Sequence, residues 1–314
     1  MIDSALQLGD PVEHRSIVVA PLFPRHSPVA SYLTLDEALP LGLHVRELSA
    51  AGSVPELRAL NPADQDVLLY DGEELIGAKQ NRILNVSVLL AAHSELAIPV
   101  SCVEQGRWAH NSDGFSAARH TVSPEIRARK EAALRFEPLA RGLAQSEVWD
   151  AVAAKAARLG VDSPTGAQAD TFTASAQELD SLRLAFPLQA GQAGALLALA
   201  GRAVCLDYVS RPDAFARLYP KLLDGYLLDA LERLDRPAVL VEPLEGFVSA
   251  LAGASTVRRP SAGRGEDLRL RGQRVAGCGL ELDGELIQLS AFAANDDRAG
   301  EPHPGRIARP SRRQ

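Results

Sequence analysis

The stretch that most constrains the fold runs from Val67 to Trp108 and reads VLLYDGEELIGAKQNRILNVSVLLAAHSELAIPVSCVEQGRW. Asp71-Gly72 stands between two apolar runs, and both residue types tolerate positive φ, so the pair predicts a hairpin turn. From Ile83 to Leu90 the even positions Leu84, Val86, Val88 and Leu90 are apolar, while the odd ones include Asn85 and Ser87. A period of two predicts one strand with its even face inward. Ala92 to Glu95 is turn-like, and Leu96 to Val103 reads as a further strand. Together with Arg15–Phe23, Val45–Leu48 and Glu56–Leu60, these runs predict a first half that is mainly antiparallel β.

The second half changes character. Ser123-Pro124 has the form of a helix start, Ser as N-cap and Pro at the first helical position, with the helix reaching about Phe136. Ser146 caps a second helix ending near Gly160, Asp162–Thr173 reads as a polar loop, and Ser175–Phe186 as a third helix. Ala195–Ala200 and Ala203–Tyr208 flank Gly201-Arg202 as a hairpin. Pro212–Leu234 carries Phe215, Leu218, Tyr219, Leu222, Tyr226 and Ala230 at helical spacing, with Pro220 expected to kink or split it. Pro243–Leu251 is a further short helix. Asp283-Gly284, inside Val275–Phe292, predicts another hairpin. Thr34 before Leu35-Asp36-Glu37 starts a brief helix that Pro40 ends.

These elements give an α+β chain: an N-terminal extension (1–14), a β-rich part carrying the polar motifs (15–120), a mixed helix and hairpin part (121–292), and a disordered basic tail (293–314). The two middle parts are compatible with one continuous domain. With 314 residues, 46% of them hydrophobic and 23% charged, the chain has ample material for a core. The net charge of −7 argues against general nucleic-acid binding. The arginines of 258–274 and 306–313 read as solvated loop and tail. No apolar run is long enough to span a bilayer. The start lacks a signal pattern, and the three dispersed cysteines, Cys102, Cys205 and Cys278, suit free thiols in a reducing, cytoplasmic compartment.

No phosphate loop, nucleophile elbow, zinc-protease motif or metal-spaced histidine pair occurs, so no metal is indicated and any cofactor is left unidentified. Gly191-Gln192-Ala193-Gly194 lacks a strand-to-helix setting, and Asp207 reads as a polar end-of-strand residue. What remains is a concentration of polar groups between Gly72 and Trp108. Lys79, Asn81, Asn85 and Ser87 would share a face of one strand, where a cation and two carboxamides suit phosphate, ribose or carboxylate groups. The plain alternative is a solvated strand face. Glu73 and Glu74 must point to opposite faces, so at most one serves a given pocket. Cys102 and Glu104 share a face, with Arg107 following. A nucleophilic Cys102 would need a base or a cationic setting, and the nearest histidines in sequence are His93 and His110.

The motifs DGEELIGAKQNRILN and IPVSCVEQGRW, in that order, resemble the ADP-ribosylglycohydrolase-and-rhodanese-phosphatase-superfamily-associated protein domain family. The resemblance extends through GQAGALLALAGRAVCLDY, LYPKLLDGYLLDAL and QLSAF, with Gln288 standing where the family pattern leads one to expect histidine. It implies a link to ADP-ribose or NAD-derived metabolites, by association. On that basis the site is expected to comprise Glu74 and Glu104 as acid/base groups, with Glu73, Lys79, Asn81, Arg82, Asn85 and Arg107 binding a nucleotide-like ligand. Two other functions compete: a protein-interaction module with Trp108 and Arg107 as anchors, and a hydrolase using Cys102.

Overall fold

The computed structural model describes residues 5–49, 55–109, 112–134 and 140–294. The expected basic tail beyond Ala294, together with His110 and Phe136, lies outside the described residues. Within them the fold is α+β, with strands and helices numbered here in chain order.

The chain opens with β1 (Leu6–Leu8), β2 (Val12–His14) and β3 (Ile17–Pro24), and both short strands pair antiparallel with β3. Next come β4 (Tyr32–Thr34), α1 (Leu35–Ala38), β5 (His44–Glu47) and β6 (Glu56–Asn61). At the start of α1 the Thr34 amide and hydroxyl both donate to Glu37, closing a capping box, and Pro40 falls in a 3₁₀ turn that ends the segment. The motif-bearing region supplies β7 (Asp66–Leu69), β8 (Glu73–Gly77), β9 (Arg82–Leu84), β10 (Val88–Leu90), β11 (Ser94–Cys102) and β12 (Phe115–Thr121). These build two small sheets, ordered β10-β7-β4 and β12-β8-β9-β11-β6-β5. One apolar core serves both, with Leu69, Val88, Leu84, Val100 and Ile98 in it.

Two sequence expectations fail here. Asp71-Gly72 is a tight turn, with the Glu73 amide donating to the Tyr70 carbonyl at 3.1 Å and Gly72 at φ +83°. It is not a hairpin, because β7 pairs with β10 and β4, whereas β8 pairs with β12 and β9. The turn passes the chain from one sheet to the other. Likewise, Ile83–Leu90 is not one strand: the chain leaves β9 at Asn85 and re-enters a different sheet as β10. Alternation persists across the break because both sheets turn their even positions toward the shared core, so periodicity alone cannot detect the change of partner.

The helical part follows as α2 (Pro124–Ala133), α3 (Ala140–Arg158), α4 (Gln168–Ala174), α5 (Ala176–Arg183), α6 (Pro212–Ala230) and α7 (Leu244–Ala252). Ser123 and Pro124 do open α2, though the Ser123 side chain makes no capping bond. Ser146 does not cap a helix but lies inside α3, and part of the expected loop at Asp162–Thr173 is α4. Pro220 does not split α6, whose residues are buried along most of its length, so packing offsets the missing backbone hydrogen bond.

The remaining strands, β13 (Gly194–Leu199), β14 (Arg202–Val209), β15 (Ser255–Pro260), β16 (Glu266–Arg271), β17 (Val275–Leu282) and β18 (Glu285–Ala293), join the first three in a nine-stranded sheet. Its path runs β1-β3-β13-β14-β18-β17-β16-β15, with antiparallel pairing throughout. Strands from both ends of the chain therefore share this sheet. Ile17, Val19, Leu197 and Ile287 face α6, while Val18, Leu22, Leu196 and Leu289 face α7. Burial on both faces is why these strands read as continuous apolar runs. Asp283 and Gly284, both at positive φ, close a true hairpin between β17 and β18. Arg258, Arg259, Arg269 and Arg271 are not in a loop but on the β15–β16 edge ribbon, where charge and Pro260 protect an open sheet edge, while Arg264 lies in the connection between the two strands and pairs with Asp66. Among the described residues no helix is long and apolar enough to cross a membrane.

Candidate functional site

Each segment of the second sheet aims its polar side chains by strand alternation. Adjacent Glu73 and Glu74 diverge, as they must. Glu73 accepts from the Tyr70 amide and from Lys221 Nζ at 3.0 Å, and Lys221 also reaches Asp36 at 2.7 Å. Burial pushes the Glu73 carboxyl up, with Lys221 only partly offsetting it.

Glu74 turns the other way and meets His120 on β12, Oε2 to Nε2 at 2.9 Å. The β12–β8 register shifts between Ala117, opposite Leu75, and Thr121, opposite Glu73, so Ala118–His120 stand against the single Glu74, and His120 is the one of the three that meets its carboxylate. The other carboxylate oxygen of Glu74 accepts from Asn81 Nδ2 at 3.3 Å. Asn81 Oδ1 in turn accepts from Arg107 Nη2 at 3.1 Å. Arg107 pairs with Glu104 at 2.6 Å, and Glu104 also accepts from the Asn81 amide and the Thr165 hydroxyl. Glu74, Asn81, Glu104 and Arg107 thus form one continuous network with His120. Burial opposes ionisation of Glu104, but bonds from Arg107, the Asn81 amide and Thr165 outweigh it and hold its carboxyl below the usual range.

Helix α4 covers this network. The Phe172 ring stacks on the His120 imidazole, with centroids 3.7 Å apart and 17° between planes. An antiparallel bridge between Glu104 and Ala167 and a bond from the Gln168 amide to the Val103 carbonyl tie the start of α4 to the end of β11. Asp224, on α6 within electrostatic range of His120, is held by Arg183 at 2.7 Å.

The other expected residues lie elsewhere. Arg82 is fully buried, bonded to the Gln80 carbonyl and side chain, with Glu47 3.7 Å away. The guanidinium of Arg82 and the ammonium of Lys79 both lie over Trp108, at 5.7 and 5.3 Å from the ring centroid. Cys102 is buried beside Arg82, and its backbone is clamped at both N–H and C=O by the Gln145 amide. Burial pushes its thiol up to about 11, despite the nearby Arg82, which is the reverse of what a nucleophile requires. Asn85 belongs to a different cluster, where its carbonyl accepts from Lys130 at 2.7 Å. His93 is at the surface, paired with Asp64.

That different cluster is a buried knot centred on Arg127. Its guanidinium makes two parallel bonds to Asp207, at 2.8 and 2.7 Å, and one to Ser290 Oγ at 2.7 Å. Tyr70 and Tyr226 donate to Asp207 at 2.7 Å each, Lys130 meets Asp71, and Gln288 donates to Ser290. The sequence placed Asp207 as a strand-end polar group, yet it stands fully buried within β14. Four of the five motifs noted in the sequence send a polar residue here, Asp71, Asp207, Tyr226 and Ser290, and IPVSCVEQGRW sends none. Complete burial and mutual pairing give the knot a structural role.

Sequence reading missed His120, Thr165 and Gln168 altogether. A cleft of about 960 Å³ opens in another place, between α7, the end of α6 and the β13–β14 turn, and none of the nine expected residues lines it. No group of three or more acidic, histidine or cysteine side chains suited to a metal occurs among the described residues.

The family described as the ARG and Rhodanese-Phosphatase-superfamily-associated Protein domain matches residues 5–292. No curated protein and no solved structure matches the chain.

Proposed function

The chain belongs to the ARG and Rhodanese-Phosphatase-superfamily-associated Protein domain family, and we propose that it binds or processes a nucleotide-like, ADP-ribose-class small molecule at the Glu74–His120 pair. The observation that carries this reading is the convergence of Glu74, His120, Asn81, Glu104 and Arg107 in one hydrogen-bonded network. A carboxylate against an imidazole is the arrangement that general acid/base chemistry uses, the carboxylate orienting the ring and stabilising its protonated form. With Nε2 committed to Glu74, Nδ1 of His120 is the nitrogen left to exchange a proton with a ligand. Glu104, held ionised by Arg107, suits stabilisation of positive charge developing at a ribosyl carbon better than proton donation. Lys79, beside the exposed Trp108, is the cation best situated to meet a phosphate, whereas Arg107 is committed to Glu104 and Asn81 and Arg82 is enclosed. The family's printed association with ARG proteins is the reason for naming the ADP-ribose class. Three buried free cysteines fit a reducing, cytoplasmic setting.

The test is a calorimetric and thermal-shift screen of the wild-type chain with ADP-ribose, NAD and nucleotides, followed by Glu74→Gln and His120→Asn. Binding that both variants weaken at least tenfold supports the reading. Silence from every compound at millimolar concentration, or binding indifferent to both substitutions, overturns it.

A second reading rests on Trp108, which is 49% exposed and flanked by Lys79 and Arg107. Exposed tryptophan beside arginine is a common anchor of protein interfaces. If this is its role, Trp108→Ala abolishes capture of a protein partner in a pull-down while leaving the melting temperature nearly unchanged.

A further inference from the structure

Gln168 begins α4 and is 1% exposed, yet neither its side-chain oxygen nor its side-chain nitrogen has a hydrogen-bond partner. A buried carboxamide with both ends unmet is costly, and such groups are rare in folded proteins unless something outside the chain satisfies them.

The register places this amide with the site just described. Glu74 lies opposite Ile83, and Ile83 opposite Ser101, so these three share one face of the sheet. Val103, two residues beyond Ser101, keeps to that face and packs with Ile83. The bridge from Glu104 to Ala167 puts Gln168 opposite Val103, and the Gln168 amide nitrogen does bond the Val103 carbonyl at 2.9 Å. Gln168 therefore stands over the same face as Glu74 and His120. Phe172, one helical turn later, is the residue stacked on His120, so Gln168 and the ring that covers the imidazole lie on one side of α4.

We propose that Gln168 is the specificity residue of the Glu74–His120 site, recognising a ligand edge that carries a hydrogen-bond donor next to an acceptor. A primary carboxamide on an aromatic ring and the amino-nitrogen edge of adenine both have this pattern. Each would meet the donor and acceptor of the glutamine amide with two parallel bonds. A carboxylate of the same shape has no donor to offer and would bring its charge toward Glu74. A site built to hydrogen-bond a group rejects the analogue that lacks it far more strongly than a purely apolar pocket could. The proposal rests on the ligand site of the preceding section and adds to it which part of the ligand is recognised.

The experiment uses the full chain and four probes: nicotinamide, nicotinate, adenosine and ribose 5-phosphate, measured by calorimetry against wild type, Gln168→Leu and Gln168→Met. Wild type should bind nicotinamide and adenosine, and prefer nicotinamide to nicotinate by at least tenfold. Both variants should lose nicotinamide affinity by at least tenfold and erase that preference. Their melting temperatures without ligand should equal or exceed that of wild type, because an unmet buried amide has been removed. A merely structural glutamine predicts the opposite, a lower melting temperature in both variants. The proposal is overturned if the variants bind nicotinamide as wild type does, if nicotinate binds equally well, or if no probe bearing the donor–acceptor edge binds. In that last case, binding of ribose 5-phosphate that Glu74→Gln abolishes would leave the ligand site standing and remove only the role of Gln168. Silence from all four probes removes the role of Gln168, and the ADP-ribose and NAD screen then decides the site itself.

Discussion

Arg127 and Asp207, eighty residues apart, form a two-bond guanidinium–carboxylate pair with neither side chain exposed to water. Taking one partner away leaves the other charge buried and uncompensated, which costs about 3–5 kcal/mol in comparable sites. Asp207→Asn and Arg127→Met should each lower the unfolding free energy read from urea denaturation by an amount of that order. Arg127→Lys should not rescue, because an ammonium cannot reproduce the planar fork. A loss below 1 kcal/mol for either variant would contradict the central role given to the knot.

Gly72 should be as sensitive as the charges it adjoins. Its φ of +83° is left-handed, and a Cβ there would lie 2.8 Å from the Cδ of Arg127. The backbone conformation alone costs an L-residue about 1–2 kcal/mol, and the Arg127 stem cannot retreat without breaking its bonds to Asp207. Gly72→Ala is expected to destabilise by about 2 kcal/mol or more, read from chemical denaturation. Gly284 in the β17–β18 hairpin has open space around it, so Gly284→Ala should be limited to the backbone cost.

The buried carboxyls give stability a two-sided dependence on pH. Burial raises Glu73, Glu131 and Asp224, so their protonation favours the folded state as pH falls from neutral toward the ordinary carboxylate range. Asp207 is held below that range, burial being outweighed by Arg127 and the two tyrosine hydroxyls, and Glu104 is depressed likewise. Their contributions are fully present above a pH of about 4 and are lost as pH falls through their folded values. Urea midpoints measured from pH 7.5 to 3 should pass through a maximum on the acid side of neutral and then drop. Glu104→Gln should flatten the drop. A steady decline from neutral pH would refute this assignment.

Cys102 should be chemically quiet. With its thiol pushed up to about 11 and its side chain enclosed, the thiolate fraction at neutral pH is roughly 100-fold or more below that of a free cysteine. Alkylation at pH 7.5 should be correspondingly slow in the folded chain and become fast in denaturant. Rapid modification of the native protein would restore the thiol-hydrolase reading.

The contrast between what the sequence revealed and what it concealed has physical causes. Strands such as Ile17–Pro24 and the β17–β18 hairpin were legible because burial and turn geometry act on neighbouring residues. The break at Asn85 was not, since two sheets bury the same alternate positions. Arg127 was silent because an arginine in a helix is ordinarily solvated, and only Asp207 and Ser290, far along the chain, make its burial tolerable. In the candidate site, Glu74, Asn81, Glu104 and Arg107 could be named together from the sequence because they fall in two polar motifs close along the chain. His120 was not, because its partner lies 46 residues earlier. Gln168 sat in a stretch, Asp162–Thr173, whose composition is that of a loop until the Val103 carbonyl anchors it as the start of a helix.

The spacing of Arg127's partners along the chain also bears on biogenesis. Its guanidinium is neutralised by Asp207 and completed by Ser290, which belongs to the last strand of the large sheet. A nascent polypeptide emerging from the ribosome holds a cation with nowhere to settle until that strand has been synthesised and has cleared the exit tunnel. Partial chains should therefore remain protease-sensitive and dependent on chaperones, and resistance should arrive abruptly, late in translation, rather than build up segment by segment.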